Sequence, residues 1–170
     1  GAVDAAVKIF QPGTIEEFYS KYNYAPLWSN KGLWQPAGDS LASFIRNSKL
    51  YGLFPDDYHD TSIHVIRQQF FADSLNKGDR KDAALWAKAD VMLTDAFLRL
   101  IKDIKLGRLP KDSITQRNDT DVSIGFLQKQ YETVSTGGTI RKALEALEPS
   151  HPGYKLLMQG IQKFLANYDT

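Results

Sequence analysis

The stretch from about Asp82 to Lys105 constrains this chain most. Leu85, Ala89, Met92, Ala96, Leu100 and Asp103 recur at spacings of three and four, and all but the last are apolar. Trp86, Leu93, Phe97, Ile101 and Ile104 widen that face, and Val91 and Leu98 add a second ridge. A helix apolar over so much of its girth needs neighbours on several sides. The pattern therefore predicts a central helix over about 82–105 that the rest of the chain surrounds. Phe97 is expected in the middle of its widest apolar face, fully buried. Arg99 is expected on a polar stripe with Lys88 and Lys102, paired with Asp95 four residues back. Gly107 and Pro110 mark the exit.

The other segments read as shorter helices. Thr14–Lys21 has Thr14 as its cap and Glu17 to complete a capping box. Pro36–Tyr51 turns Leu41, Phe44 and Ile45 inward. Gly52 suits the left-handed position after it, with Leu53 folding back. Asp56 or Asp57 is read as a cap after Pro55. Thr61–Leu75 carries the stripe Ile63, Ile66 and Phe70. A polar turn is expected at Asn76–Asp79 and a polar loop at Lys111–Thr120. Asp121–Val134 is read as a helix burying Val122, Phe126 and Tyr131. Thr139 caps a short helix with Ile140, Leu144 and Leu147 inward. Tyr154–Tyr168 is the last helix, with Leu157, Ile161, Phe164 and Tyr168 at helical spacing. No useful alternating run appears, and no heptad is sustained. The expected fold class is all-α: an irregular multi-helix bundle around the long central helix, with little or no strand, in one domain over 1–170.

Composition narrows the chemistry. A chain of 170 residues can bury a core without staples. A net charge of +1 points to neither nucleic acid nor an acidic membrane. The absence of cysteine removes disulfides, thiolate metal sites and a Cys nucleophile. His59 and His64 are five apart, not the four of a helical zinc pair, and His151 lies between turn prolines. All three are read as surface or locally bonded histidines. Asp56-Asp57 lacks the further oxygen donors of a calcium loop. Neither a metal nor a cofactor is expected. No serine-hydrolase, phosphate-loop or dinucleotide fingerprint is present. Asp90, at the edge of the apolar arc, is one candidate carboxylate for a glycosidase-type reaction, which needs a second that the sequence does not identify. No apolar run approaches a membrane span, and GAVDAAVKIF lacks the basic start and apolar core of a signal peptide. Gly1 reads as a residue left by tag removal, so the chain is expected to be a piece of something longer.

Aromatics are concentrated early, in YNYAPLWSNKGLW (22–34) and YGLFPDDYH (51–59). Large amphipathic rings on turn-forming sequence make either a small core under a loop or a contact platform. Tyr22, Tyr24, Trp28, Trp34 and Tyr58 are the candidate interdomain or ligand contacts. The alternative, that Trp28 and Trp34 simply cover their own loop, stands beside this. No catalytic residue is assigned.

Four segments in order carry a family resemblance. Phe18, Tyr19 and the Tyr22–Trp28 run resemble an aromatic helix leading into a "pLW" turn. Gly52–His59 resembles a "GL-x-P-x-DYH" turn. Leu93–Leu98 followed by Gly107–Pro110 resembles "LTDAFL…GR-x-x-P". Ala143–Pro149 with Tyr154 and Leu157 resembles "aL-x-x-L-x-P…Y-x-x-L". Together they resemble the N-terminal helical scaffold domain of the large bacterial L,D-transpeptidases, which cross-link peptidoglycan with a Cys and a His in a separate C-terminal domain. This chain has no Cys, so no catalytic residue carries over. The resemblance implies a non-catalytic scaffold in the periplasm or cell envelope, whose partner is the catalytic domain of the same parent chain. Two alternatives stay open. One is a free-standing helical module that binds peptidoglycan or protein. The other is a carboxylate-dependent wall-lytic enzyme centred on Asp90.

Overall fold

The computed structural model describes residues 8–75, 82–109 and 119–168. The expectations for Gly1, for the turn at 76–79, for Pro110 and for most of the 111–120 loop lie outside the described residues.

Helix α4 (Ala83–Leu106) is the axis of the fold. The Asp82 carboxylate caps it by accepting the Leu85 N–H at 2.9 Å, and Gly107, at φ 78°, ends it. Ala89, Asp90 and every residue from Met92 to Leu98 are buried, so the middle of α4 has no face toward water. Around it pack α1 (Pro12–Ser20), α2 (Pro36–Arg46), α3 (Asp60–Leu75), α6 (Ile140–Glu145) and a 3₁₀ turn, Pro55–Tyr58. Helix α5 (Ile124–Ser135) closes the bundle against α1 and α6, while α7 (Pro152–Tyr168) lies at the edge on a 3₁₀ turn, Ser48–Tyr51. Among the described residues the only strands form a two-residue hairpin, β1 (Ser29–Asn30) with β2 (Leu33–Trp34). Its loop, Lys31-Gly32, has φ of 50° and 72°. Both values are positive, the turn that matches the twist of paired strands. The all-α bundle around one long helix is the architecture expected.

Several local readings change. Helix α1 starts at Pro12, with Gln11 before it and no side-chain cap. Proline suits that first position because its missing N–H would be unpaired there anyway. Thr14 and Glu17 therefore lie inside the helix rather than forming a capping box. Helix α2 stops at Arg46, because Asn47 turns back onto Ser43 through its backbone and its side-chain amide. The following turn ends at Gly52, φ 68°, and the Leu53 N–H returns to the Ser48 carbonyl as expected. Asp56 and Asp57 do not cap α3 through its backbone. Asp56 accepts the Thr61 hydroxyl, and Asp57 pairs with Arg108. Helix α5 begins only after Ser123, whose hydroxyl accepts the Phe126 N–H. Val122 precedes the cap, so a stripe counted from it is out of phase. The buried set is Leu127, Tyr131 and Val134, and Phe126 is half-buried.

Candidate functional site

Three carboxylates of α4 hold the rest of the domain. Asp90 accepts the Leu27 N–H at 3.0 and 3.1 Å, the Trp28 N–H at 2.9 Å and the Tyr19 hydroxyl at 2.5 Å. Asp95 accepts the Phe10 N–H at 3.0 Å and pairs with His59 Nε2 at 2.7 Å. Asp103 accepts the Tyr58 hydroxyl at 2.8 Å and faces Arg99 at 3.6 Å. Arg99 in turn donates to the Asp57 carbonyl at 2.7 Å. Asp95 is thus not the surface partner of Arg99. It is buried, because the turn carrying His59 folds onto it. Thr94 completes the set by accepting the Trp28 indole N–H at 2.9 Å.

The segments that look like motifs are therefore the two halves of each latch. The Tyr22–Trp28 turn is bound by Asp90 and Thr94, the Tyr58-His59 turn by Asp95 and Asp103, and Arg108 reaches back to Asp57. Burial and the neighbouring Asp90 and Asp103 carboxylates push the Tyr19 and Tyr58 phenols well above the usual tyrosine range. Asp90 is no free catalytic acid. Its oxygens already serve two peptide N–H groups and a phenol, so reaching a substrate would unmake the turn it holds. Among the described residues no group of His, Asp or Glu is placed to hold a metal ion.

The five candidate contact residues separate. Trp28 and Tyr58 are fully buried and offer no surface. Trp28 packs edge-on against Phe97 and Tyr131, with centroids 5.3 Å from each, so it does cover its own loop. Tyr22 is half-buried between Phe18 and Tyr131. Tyr24 and Trp34 line a surface depression. Its larger part, about 970 Å³, lies between α1, the 24–32 turn and the start of α4. Ile9, Pro12, Tyr19, Tyr24, Pro26 and Trp86 are part of its wall. A smaller hollow of about 220 Å³ continues past Trp86 to Leu33, Trp34, Phe70 and Phe71. There Phe70 and Trp86 stack at 3.8 Å, and the Trp34 ring lies 5.2 Å from Trp86. Tyr24 is 66% exposed, Leu33 57% and Phe71 67%. Sequence reading had assigned Trp86 and Phe70 to inward stripes. Nothing local signals that α3 and α4 bring them beside Trp34.

Helix α7 contributes a second apolar surface. Only Met158 is buried on it, while Leu156, Leu157, Phe164 and Tyr168 are exposed. No described helix is long and apolar enough to cross a membrane.

No curated protein and no solved structure matches the chain. A family model does: the scaffold domain aligns with residues 13–160, from the first turn of α1 to the middle of α7. A match over that much of a chain whose motif residues bind one another, and hold the core together, places the protein in the scaffold-domain family.

Proposed function

We propose that the chain acts as a non-catalytic scaffold that holds and orients the catalytic domain of an L,D-transpeptidase-like, peptidoglycan cross-linking protein of the bacterial cell envelope. The observation that carries this reading is the internal use of the motif residues. The motif residues Tyr19, Trp28, Tyr58, His59, Thr94 and Asp95 are spent on one another and on the Asp90 and Asp103 carboxylates of α4, so the shared motifs encode a rigid frame. With no cysteine in the chain, a Cys nucleophile would have to come from another domain. The scaffold family and the aromatic depression both suit a body against which another domain rests. The link to L,D-transpeptidases rests on the ordered motif resemblance. Reading the gene beyond Thr170 tests it directly: a following domain with Cys and His is expected, and a gene without one overturns the reading. A zymogram of the purified chain should show no clearing of peptidoglycan.

A further inference from the structure

We propose that the aromatic depression seats an extended, apolar polypeptide segment, with a carboxylate of that segment at Lys31 and a basic group at Glu16. This deepens the scaffold reading and rests on it only for the domain from which the segment comes.

Shape is the first argument. The two hollows share Gly32 and Trp86 in their walls, so they adjoin, and we read them as one stepped trough from Ile9 and Pro12 past the hairpin tip to Phe71. Extended peptide commonly docks in aromatic-lined grooves of this kind, where alternate side chains drop into successive hollows. Exposed apolar surface grouped around such a trough marks an interaction site better than scattered residues do. Here Tyr24, Leu33 and Phe71 supply it.

The lining chooses between polypeptide and glycan. Sugar hydroxyls lose water on binding and need hydrogen-bonding partners in return. Beyond Glu16, Tyr24, Ser29 and Lys31 in the larger hollow and Arg67 in the smaller one, the trough has few to offer. The Asp90 carboxylate in its wall is occupied by the Leu27 and Trp28 N–H groups and the Tyr19 phenol. Ile9, Pro12, Ile15, Pro26, Val91 and aromatic rings give that wall its apolar part. Apolar side chains fit such a surface better than a run of sugar hydroxyls does.

Charge specifies the segment further. Glu16 and Lys31 both line the larger hollow, and neither makes a salt bridge or side-chain hydrogen bond with another described residue. Opposite charges on one rim select partner and register. Backbone strain points to the same place. Lys31 and Tyr24 hold φ of 50° and 56°, where Gly or Asn would be easier. Such conformations persist where the surrounding structure holds them, and they cluster at ligand clamps and binding loops.

The test pans a random phage-displayed peptide library on the folded chain and measures the strongest synthesised peptide by calorimetry. Selected peptides should be apolar with an Asp or Glu. Binding should weaken about tenfold or more in Lys31→Asn and in Tyr24→Asp, and stay unchanged in Phe164→Asp on α7. Lys31→Asn suits the positive φ, so its fold is retained, which circular dichroism checks. A peptide whose acid is replaced by Lys should recover binding to Lys31→Glu. Peptides without acidic preference, or equally bound by Lys31→Asn and Tyr24→Asp, overturn the proposal, as does a library yielding no trough-dependent binder. If a downstream catalytic domain fails to bind while peptides still seat at the trough, the scaffold reading falls and this one stands.

Discussion

Asp90 concentrates more of the fold than any other single side chain. It satisfies two peptide N–H groups and one phenol at the place where the Pro26-Leu27-Trp28 turn meets α4. Hydrogen bonds to a charged group contribute about 1.5–3 kcal/mol each, and buried donors left without acceptors add a penalty. Asp90→Ala should therefore cost at least ~3 kcal/mol, out of the ~5–15 available to a domain. Asp90→Asn should also be costly, because its NH₂ would meet N–H donors. Urea unfolding is expected to show a lower midpoint for both with little change in slope. An Asp90→Asn midpoint equal to wild type would mean another group holds the turn. Arg99 needs a different forecast from its place on the polar stripe, which implied under ~1 kcal/mol for Arg99→Ala. It bonds the Asp57 carbonyl, and its guanidinium lies 4.4 Å from the Phe10 ring centre. Arg99→Ala is now expected to cost about 1–3 kcal/mol, still below the ~3–5 for Phe97→Ala at a fully buried position. Thermal melts of the two variants side by side give the order.

At the scale of elements, two glycines in helices should respond in opposite directions. A Cβ on Gly38 in α2 would stand 2.8 Å from the Trp28 carbonyl oxygen and 3.3 Å from the Trp34 ring. The near atom is backbone, so α2 itself would have to move. That overpacking costs ~1–3 kcal/mol and outweighs the ~1 kcal/mol helix-propensity gain of alanine. Gly38→Ala should lower the melting temperature. Gly160 in α7 has nothing within 4 Å of its would-be Cβ, so Gly160→Ala should raise stability by ~0.5–1 kcal/mol. If both variants melt together, α2 does not approach the Trp28 turn as closely as described. The same helix α7 shows where element-level reading stops. Leu157, Ile161, Phe164 and Tyr168 do fall at helical spacing, but among the described residues α7 packs chiefly on the Ser48–Tyr51 turn. Ile161 packs near Gly52, while Leu157, Phe164 and Tyr168 remain exposed.

For the whole molecule, tyrosine ionisation reports how much of the frame is buried. Burial is the leading cause that pushes Tyr131 and Tyr154 up to about 12, each helped by a nearby carboxylate, Asp90 and Glu148. Tyr19 and Tyr58 are shifted upward too, by burial first and then by Asp90 and Asp103. A phenol with a raised folded pKa contributes stability fully below its unfolded value, about 10, and loses it as pH rises toward the folded value. Stability should therefore be independent of these groups near neutrality and fall steeply above about pH 10. Tyr22 and Tyr51 are shifted upward by burial as well, so absorbance titration at alkaline pH should show six of the eight tyrosines ionising late, together with the loss of helical circular dichroism. A single titration of all eight near pH 10 with the helix signal intact would refute the buried frame.

What the sequence determined by itself was local in origin. The central helix was legible because apolar residues at spacings of three and four report burial along one chain segment, and its Gly107 stop needs no knowledge of neighbours. The Gly52 turn and the Thr139 cap, which accepts the Lys142 N–H, were legible for the same reason. What was decided only in three dimensions involves partners far apart in the chain. Asp90 finds Leu27, His59 finds Asp95 and Tyr58 finds Asp103. No periodicity encodes such pairs, because each is set by which helices pack together. The candidate site divides along that line. Tyr24 and Trp34 stood out as rings on turn sequence, whereas Phe70, which reads as core and is buried, and Trp86, which is half-buried, also line the hollow beside Trp34 because α3 and α4 bring them there. Trp28 and Tyr58 carried the same signal as Tyr24, yet they lie inside. An aromatic on a turn is exposed or buried according to where that turn is tied down, and here the ties are the carboxylates of α4.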